Sequence, residues 1–543
     1  MRPTGATGPP GGAAAVAPAA AGQASGSAAT AGGGGLPLRW ALPVALAGGL
    51  ALAAAFPPVS AWPLAIVGPA LLTVALWHRS LRASLLIGLV FGAALFVPLL
   101  AWLVNVAWYV WMALAVAETV IFGVLTVGQS LLLRLRAWPV AVAGWWVAAE
   151  AVRDRWPWGG FPWGRLAMSQ ASAPTVRWVA VGGPPLLTFL LALAAACLAW
   201  LLLAPPRRAI PALALAGAVA ALLIGALLPV DGQVPGTRTA IVATVQGDVP
   251  HARNLPDLLR ASTVTVNHAA ATKQLAAQVA AGSRPAPDLV IWPENSTDQD
   301  PSLDPFIYAT IQSAVDAINR PVLVGAVLQN PVRNAGQLWL PRRGPVAVYL
   351  KRQLVPFGEV IPFRSLLAKF TSLPSLQPVN FTPGHRAVVF RIGKIRLGDV
   401  ICYEIGFDNL VSSEVTAGAN LLTEQTNDAD FELDGQTGET LQQLAMARIR
   451  AVESDRAVVV SSTTGVSAII APDGSLIARS GLWRRAELEA RVPLRTSITL
   501  ADRVGSWPEL AISAATLAAL IWVLASWVLA SSVASRKRAQ TPQ

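Results

Sequence analysis

The distribution of apolar residues along this chain constrains its fold more than any other feature. Residues 38–230 are almost wholly apolar, 231–505 have the mixed composition of an ordinary globular domain, and 508–531 are apolar again. Only 13% of the 543 residues are charged, against about 25% in soluble domains. A helix that crosses a bilayer needs ~20 apolar residues. Short polar or Pro/Gly breaks divide the apolar tracts into eight candidates: 40–56, 62–77, 83–104, 107–133, 137–152, 185–204, 209–229 and 508–531. The first two are short enough to form instead a hairpin that dips into the bilayer.

Basic residues collect on the cytoplasmic side of membrane proteins, and here they fall on alternate connections. HRSLRA (78–83), RLR (134–136), PPRR (205–208) and the C-terminal SRKR (535–538) carry them, whereas PPVSA (57–61) and the turn near Asn105 do not. This places both termini in the cytoplasm and 231–505 outside it. The connection 153–184 also has arginines but falls outside by the count; its Trp156, Trp158, Phe161 and Trp163 suit a membrane interface. The expected organisation is a disordered cytoplasmic tail (1–37), seven membrane helices (38–230), an extracytoplasmic domain (231–505), an eighth helix (506–531) and a short tail (532–543). Residues 1–36 lack the basic start and apolar core of a cleavable signal peptide. The net charge of +11 is scattered without a basic stripe or recognition motif, which argues against nucleic-acid binding.

From 237 onward, β-branched runs alternate with helical patterns. Strands are predicted at 237–246, 288–294, 320–329, 345–353, 394–403, 418–426 and 456–465, with a hairpin over 467–480 and helices over 256–282 and 438–452. Continuous apolar runs imply strands buried on both faces of a layered α/β domain. Three strand candidates end on chemistry-bearing residues: Glu294 closes DLVIWPE, Lys351 closes AVYLK and Cys402 closes GDVIC. Strand ends are where α/β folds gather their sites. If the three converge, Glu294 has the chemistry of a general base. Lys351 would then lower the thiol pKa and stabilise an oxyanion, and Cys402 would attack a carbonyl to form a thioester. The run IGFDNLVSSEV after it is expected to begin a helix whose N-terminus favours the thiolate.

Each residue also has a plainer explanation. A cysteine after Val-Ile is commonly core filler, Lys351 with Arg352 reads equally as surface charge, and Glu294 as a cap. The other cysteine, Cys197, lies in an apolar tract and is no plausible disulfide partner. The histidines (His78, His251, His268 and His385) show no metal-ligand spacing, although a Cys–His pairing through the last three stays open. No phosphate-binding or dinucleotide glycine pattern stands out, so neither a metal nor a cofactor is expected.

WPE with Glu294, YLKRQLVPFGEVIPFR with Lys351 and GDVICYE with Cys402, in that order, resemble the nitrilase superfamily. Together with GGFPWGRLAMSQ (159–170), VQGDVP (245–250), TND (426–428), QQLAMARIRAVESDR (442–456) and the flanking apolar tracts, about residues 38–531 resemble the apolipoprotein N-acyltransferase family. The resemblance implies an α-β-β-α sandwich with a Glu-Lys-Cys triad, carried on an eight-helix transmembrane bundle in a bacterial cell membrane. It implies transfer of an acyl chain from a membrane phospholipid to Cys402. From there the chain passes to the α-amino group of the diacylglyceryl-cysteine of an apolipoprotein. It further implies supporting roles for Glu359, Tyr403 and Glu404, with the Tyr403 N–H a candidate oxyanion donor.

The chain departs from the family pattern at Asp430 and Glu432, where Ala-Trp-Phe-Gly is common after TND, and at Leu255, near which a tryptophan is common. A membrane-anchored amidase and a non-catalytic scaffold are the alternatives. The apolar, proline-containing stretch 361–381 is expected to dip into the outer leaflet, an ordinary packed loop being the alternative. Glu118, mid-span, is expected to be buried, neutral and hydrogen-bonded.

Overall fold

A computed structural model describes residues 35–204, 208–232, 236–249, 257–369, 378–429, 431 and 437–539. Residues 1–34 of the expected tail, His251, Leu255, Asp430, Glu432 and the middle of 361–381 lie outside the described residues.

The apolar tracts form eight helices among the described residues: α1 (Leu38–Ala55), α2 (Leu64–Leu76), α3 (Leu81–Leu99), α4 (Trp108–Leu132), α5 (Trp138–Arg153), α6 (Val179–Leu203), α7 (Ala209–Ile224) and the C-terminal Trp507–Ala539. Six apolar segments are long enough to cross a membrane; α2, with 13 residues, and α5, with 16, are shorter. Small residues let backbones meet where lipid offers no hydrophobic drive. A Cβ added at Gly68 of α2 would sit 2.8 Å from Gly48 O of α1, so that crossing tolerates only glycine. Glu118 is buried and hydrogen-bonded as expected: Arg153 Nε lies 2.7 Å from its Oε2. The Arg153 guanidinium also donates to Trp163 O at 2.7 Å.

The remainder folds as two six-stranded mixed sheets. The first contains β1 (Thr239–Gln246), β2 (Leu289–Ile291), β3 (Val322–Leu328), β4 (Arg333–Leu340), β5 (Gly344–Leu350) and β12 (Ala486–Pro493), in the order β12-β1-β2-β3-β4-β5. The second contains β6 (Val389–Ile392), β7 (Ile395–Ile401), β8 (Leu421–Thr426), β9 (Val458–Ser462), β10 (Ala468–Ile470) and β11 (Leu476–Arg479), in the order β11-β10-β9-β8-β7-β6. Each sheet has a parallel centre, β1-β2-β3 and β7-β8-β9, with antiparallel flanks.

The sheets face each other through Val242, Leu289, Ile291 and Leu323 on one side and Leu397, Ile401, Leu421 and Val459 on the other. The outer face of the first sheet is covered by α8 (Asp257–Ala280) and α9 (Pro305–Ile318), through Leu275, Ile307, Ile311 and Val315. The outer face of the second is covered by α10 (Asp408–Thr416) and α11 (Gly438–Ser454). Here the core does not stop. Val400, Leu422 and Val460 of the sheet and Ile449 and Val452 of α11 share one buried cluster with Val179, Leu187 and Leu191 of α6. The expected α-β-β-α sandwich is present, with one helical layer fused to the apolar bundle.

A buried charge cluster fixes this junction. The Asp408 carboxylate accepts from Arg165 Nη1 at 2.7 Å and Nη2 at 3.0 Å, and Arg450 Nη2 lies 2.6 Å away. Arg450 also donates to Ile405 O and Gly406 O, each at 2.9 Å, and pairs with Glu453. Burial alone would raise Asp408, but the Arg165 and Arg450 guanidiniums outweigh it and hold the carboxyl well below its ordinary range. A depressed folded pKa stabilises above the unfolded value and is lost only as pH falls through the folded one. The cluster is therefore intact at neutral pH. Removing one partner of a buried pair costs about 3–5 kcal/mol. Arg450→Met is expected to lower stability by that order in thermal unfolding of the detergent-solubilised protein at pH 7. An unchanged melting temperature would mean the cluster is not structural.

Candidate functional site

The polar residues that close β2, β5 and β7 meet at one end of the sandwich. Three residues past β2, Glu294 is 4% exposed. Its Oε1 accepts from Lys351 Nζ at 2.9 Å and Asn334 Nδ2 at 2.6 Å, and its Oε2 from the Asn427 amide at 3.0 Å. Lys351, directly after β5, is buried and shared: its Nζ is also 3.1 Å from Glu359 Oε1. Asn334 Nδ2 bridges the same two carboxylates, reaching Glu359 Oε1 at 2.8 Å, while Glu359 Oε2 accepts from Val355 N–H at 2.9 Å. One ammonium thus sits between two acids, and one amide donates to both.

Cys402 follows β7 with φ +53°, a left-handed backbone costly for any residue with a side chain. The chain turns there from the strand into a 3₁₀ helix, Cys402–Gly406, and then into α10. The expected helix after the cysteine is thus divided in two. The first amides of a helix have no acceptor within it, which leaves the Tyr403 N–H at the start of the turn. Glu404 holds the turn. Its Oε2 accepts from Ile401 N–H and Tyr349 Oη, each at 2.8 Å, and its Oε1 from Arg352 N–H at 2.7 Å and Gln353 N–H at 3.1 Å. Tyr403 fastens it to the membrane-helix side. Its hydroxyl donates to Gly160 O at 2.6 Å, and its ring stacks on Trp163 at 5.5 Å. Trp163 O is the carbonyl held by Arg153, so α4, α5 and the cysteine turn are linked in series.

The electrostatics follow from burial. Glu294 is raised from the usual carboxylate value, by burial first and then by the Glu359 charge, with Lys351 pulling the other way. Burial would lower Lys351, but the Glu294 and Glu359 carboxylates more than reverse this and keep it protonated. The Cys402 thiol is pushed well above its ordinary value by burial and by the Glu294 charge, with Lys351 opposing. Lys351 acts in the direction read from the sequence, but burial prevails in the resting site. The thiol is protonated there, and a neighbouring base has to take its proton before it can attack.

Several residues in the site carry no signal of their own in the sequence. Asn334 lies on β4, a strand not predicted because RNAGQLWL is polar and contains glycine. Gln443 on α11 donates to Cys402 Sγ at 3.4 Å and accepts from Thr426 Oγ1 at 2.9 Å. Asn427, Thr426 and Gln443 all fall in stretches marked by family resemblance, without a role attached. His268 is fully buried, with Nδ1 against Val264 O at 2.8 Å, and plays no part in the site. Among the described residues no cluster of side chains is arranged to hold a metal.

Residues 48–197 match the family described as the apolipoprotein N-acyltransferase N-terminal domain, and 242–501 match the carbon-nitrogen hydrolase family. An apolipoprotein N-acyltransferase of Mycolicibacterium smegmatis is 36% identical over 507 residues, covering 88% of this chain and 84% of the relative. One of Azotobacter vinelandii is 30% identical over 531 residues, covering 91% and 95%. A solved nitrilase-superfamily amidase from Nesterenkonia AN1 is 16% identical, with a TM-score of 0.35 over 48% of this chain and 92% of that one. With both regions matched in order and a relative 36% identical across most of its length, the chain belongs to the apolipoprotein N-acyltransferase family.

Proposed function

We propose that this protein transfers an acyl chain from a membrane phospholipid, through a thioester on Cys402, to the N-terminal amino group of the diacylglyceryl-cysteine of apolipoproteins. The observation that carries this reading is the meeting of carboxylate, ammonium and thiol at strand ends that are tied, through Tyr403, to the apolar helices. In the first step Glu294 takes the Cys402 proton and the sulfur attacks the lipid ester carbonyl. Lys351 and the Tyr403 N–H receive the oxyanion. The intermediate collapses as Glu294 returns the proton to the leaving glycerol oxygen, releasing a lysophospholipid. In the second step the α-amino group attacks the thioester, Glu294 takes the amine proton, and Cys402 leaves as a thiol. Glu359 and Asn334 keep Lys351 and Glu294 in register.

The membrane setting fits the same reading. Burying a lipid chain is worth ~0.8 kcal/mol per CH₂, so drawing one into water would cost tens of kcal/mol. Exposed apolar groups gather beside the site: Trp158 meets Phe357 at 5.3 Å and Phe363 at 6.4 Å, and Phe363 is 68% exposed. They suit a lipid entrance at the base of the 361–381 stretch. By the arginine pattern, both termini are cytoplasmic and 231–505 is the extracytoplasmic catalytic domain of a bacterial plasma-membrane protein. The helices at 38–230 and 506–531 serve as its anchor.

Incubating the purified protein with acyl-labelled phospholipid and no acceptor is expected to leave a hydroxylamine-labile acyl group on Cys402, discharged only by a diacylated lipopeptide. Free fatty acid without an adduct would make the enzyme a hydrolase instead. Without lipid, iodoacetamide is expected to label Cys402 slowly at pH 7, with the rate rising only above the usual cysteine range near ~8.5. Lys351→Met removes the opposing charge, so it is expected to move that rise to still higher pH. It also strands two buried carboxylates at a cost of about 3–5 kcal/mol, read as a lower melting temperature.

A further inference from the structure

Outside the Glu-Lys-Cys set, Gln443 on α11 places a side-chain amide donor on the reacting sulfur, beside the hydroxyl of Thr426. It sits in the second turn of α11 and is 2% exposed, with Nε2 3.4 Å from Cys402 Sγ. Its other end is held: Oε1 accepts from Thr426 Oγ1 at 2.9 Å. Thr426 closes β8 and is itself buried, so strand and helix both constrain the amide.

We propose that Gln443 is a further catalytic residue, whose side-chain amide donates to the Cys402 sulfur and stabilises the thiolate as it forms. Thr426 acts as the positioning residue that sets which end of the amide faces the sulfur. The inference rests on the reading of Cys402 as nucleophile.

The direction of the amide follows from counting protons. A threonine hydroxyl has one proton to give, and Thr426 Oγ1 has three acceptors in reach: Gln443 Oε1, the Cys402 sulfur and Asp428 Oδ1, the last at 3.0 Å. Asp428 Oδ2 already accepts from Ser462 Oγ and, at 3.3 Å, from Thr440 Oγ1. Burial raises the Asp428 pKa. Asp428 also shares a hydrogen bond with the Glu439 carboxyl, and a proton held by this pair weakens Asp428 as an acceptor, so that the Thr426 hydroxyl proton goes to Gln443 Oε1. The amide N–H₂ then points at the sulfur. The reversed amide would set an acceptor oxygen against a forming thiolate, which repels it. The chain therefore runs Thr426 to Gln443 to sulfur, each link donating to the next. A donor to an ionised acceptor is worth about twice one to a neutral acceptor, so the gain appears as the thiol ionises and not before.

The test is the pH dependence of Cys402 alkylation by iodoacetamide, read by peptide mapping, alongside single-turnover acylation by labelled phospholipid. Gln443→Leu is expected to move the alkylation midpoint up by roughly one to two pH units and to slow acylation at pH 7 by about 10- to 100-fold. Thr426→Val is expected to shift the midpoint the same way by less, while Thr426→Ser, which keeps the hydroxyl, stays at wild type. Should Gln443→Leu fail to fold, Gln443→Met, which keeps the length and removes the donor, reads the same link. Midpoints equal to wild type in Gln443→Leu and Thr426→Val would overturn the proposal. So would equal shifts in Thr426→Val and Thr426→Ser, since these would mark packing rather than a hydroxyl proton. A wild-type protein that alkylates normally but never takes an acyl group would defeat the reading of Cys402 as acyl carrier, while the alkylation midpoints would still judge Gln443.

Discussion

The site depends on a single ammonium group. Lys351 is 1% exposed and lies between two carboxylates, at 2.9 Å from Glu294 and 3.1 Å from Glu359. In a medium of low polarity an unpaired charge is expensive, and a pair is tolerated only when its remaining lone pairs find donors. Here they do: Asn334 serves both acids, and the Asn427 and Val355 amides take the other oxygens. With Lys351 neutral or absent, two buried anions would face each other and the raised thiol would lose the charge that opposes its burial. The two carboxylates, Glu294 first and Glu359 after it, keep the lysine charged against its burial.

The backbone of the cysteine turn is held with comparable force. A left-handed residue bearing a side chain costs on the order of 1–3 kcal/mol, and four donors to Glu404 offset it. The same turn is fastened by Tyr403 to Gly160 and by Asp408 to Arg165, both on the segment that follows α5. That segment is held from the other side by Arg153, which Glu118 neutralises inside the helices. The buried acid mid-helix thus has a structural consequence for the site without touching it.

Much of this was legible in the sequence because the relevant signals are local. The apolar tracts announced the helices, although α2 and α5 are too short to qualify by length alone. Glu294, Lys351 and Cys402 stood out because each ends an apolar, β-branched run. What escaped is non-local. β4 reads as loop because it carries Asn334 for the site and Gly336 for close approach of the sheets, where a Cβ would collide with the Asp399 carboxylate. β12 escaped because AELEARVP is an edge strand with charges alternating toward water. α9 has a local start signal in Asp304 and Pro305, the Asp304 side chain accepting from Phe306 N–H and Ile307 N–H. Gln443 and Thr426 acquire meaning only when a helix and a strand separated along the chain are brought to one sulfur.

The core shared between α6, α11 and the second sheet has a consequence for how the chain comes to be folded. Chains fold broadly in the order in which they are synthesised, and α1 to α7 precede every strand. The layer that covers the sheet ending at Cys402 is therefore completed against helices already in place. A ribosome releasing residues 231–505 alone would make a sandwich whose α11 layer, with Ile449 and Val452, lacks the α6 side chains that share its buried cluster. The helical bundle is accordingly a template for the fold of the catalytic layer as well as its anchor.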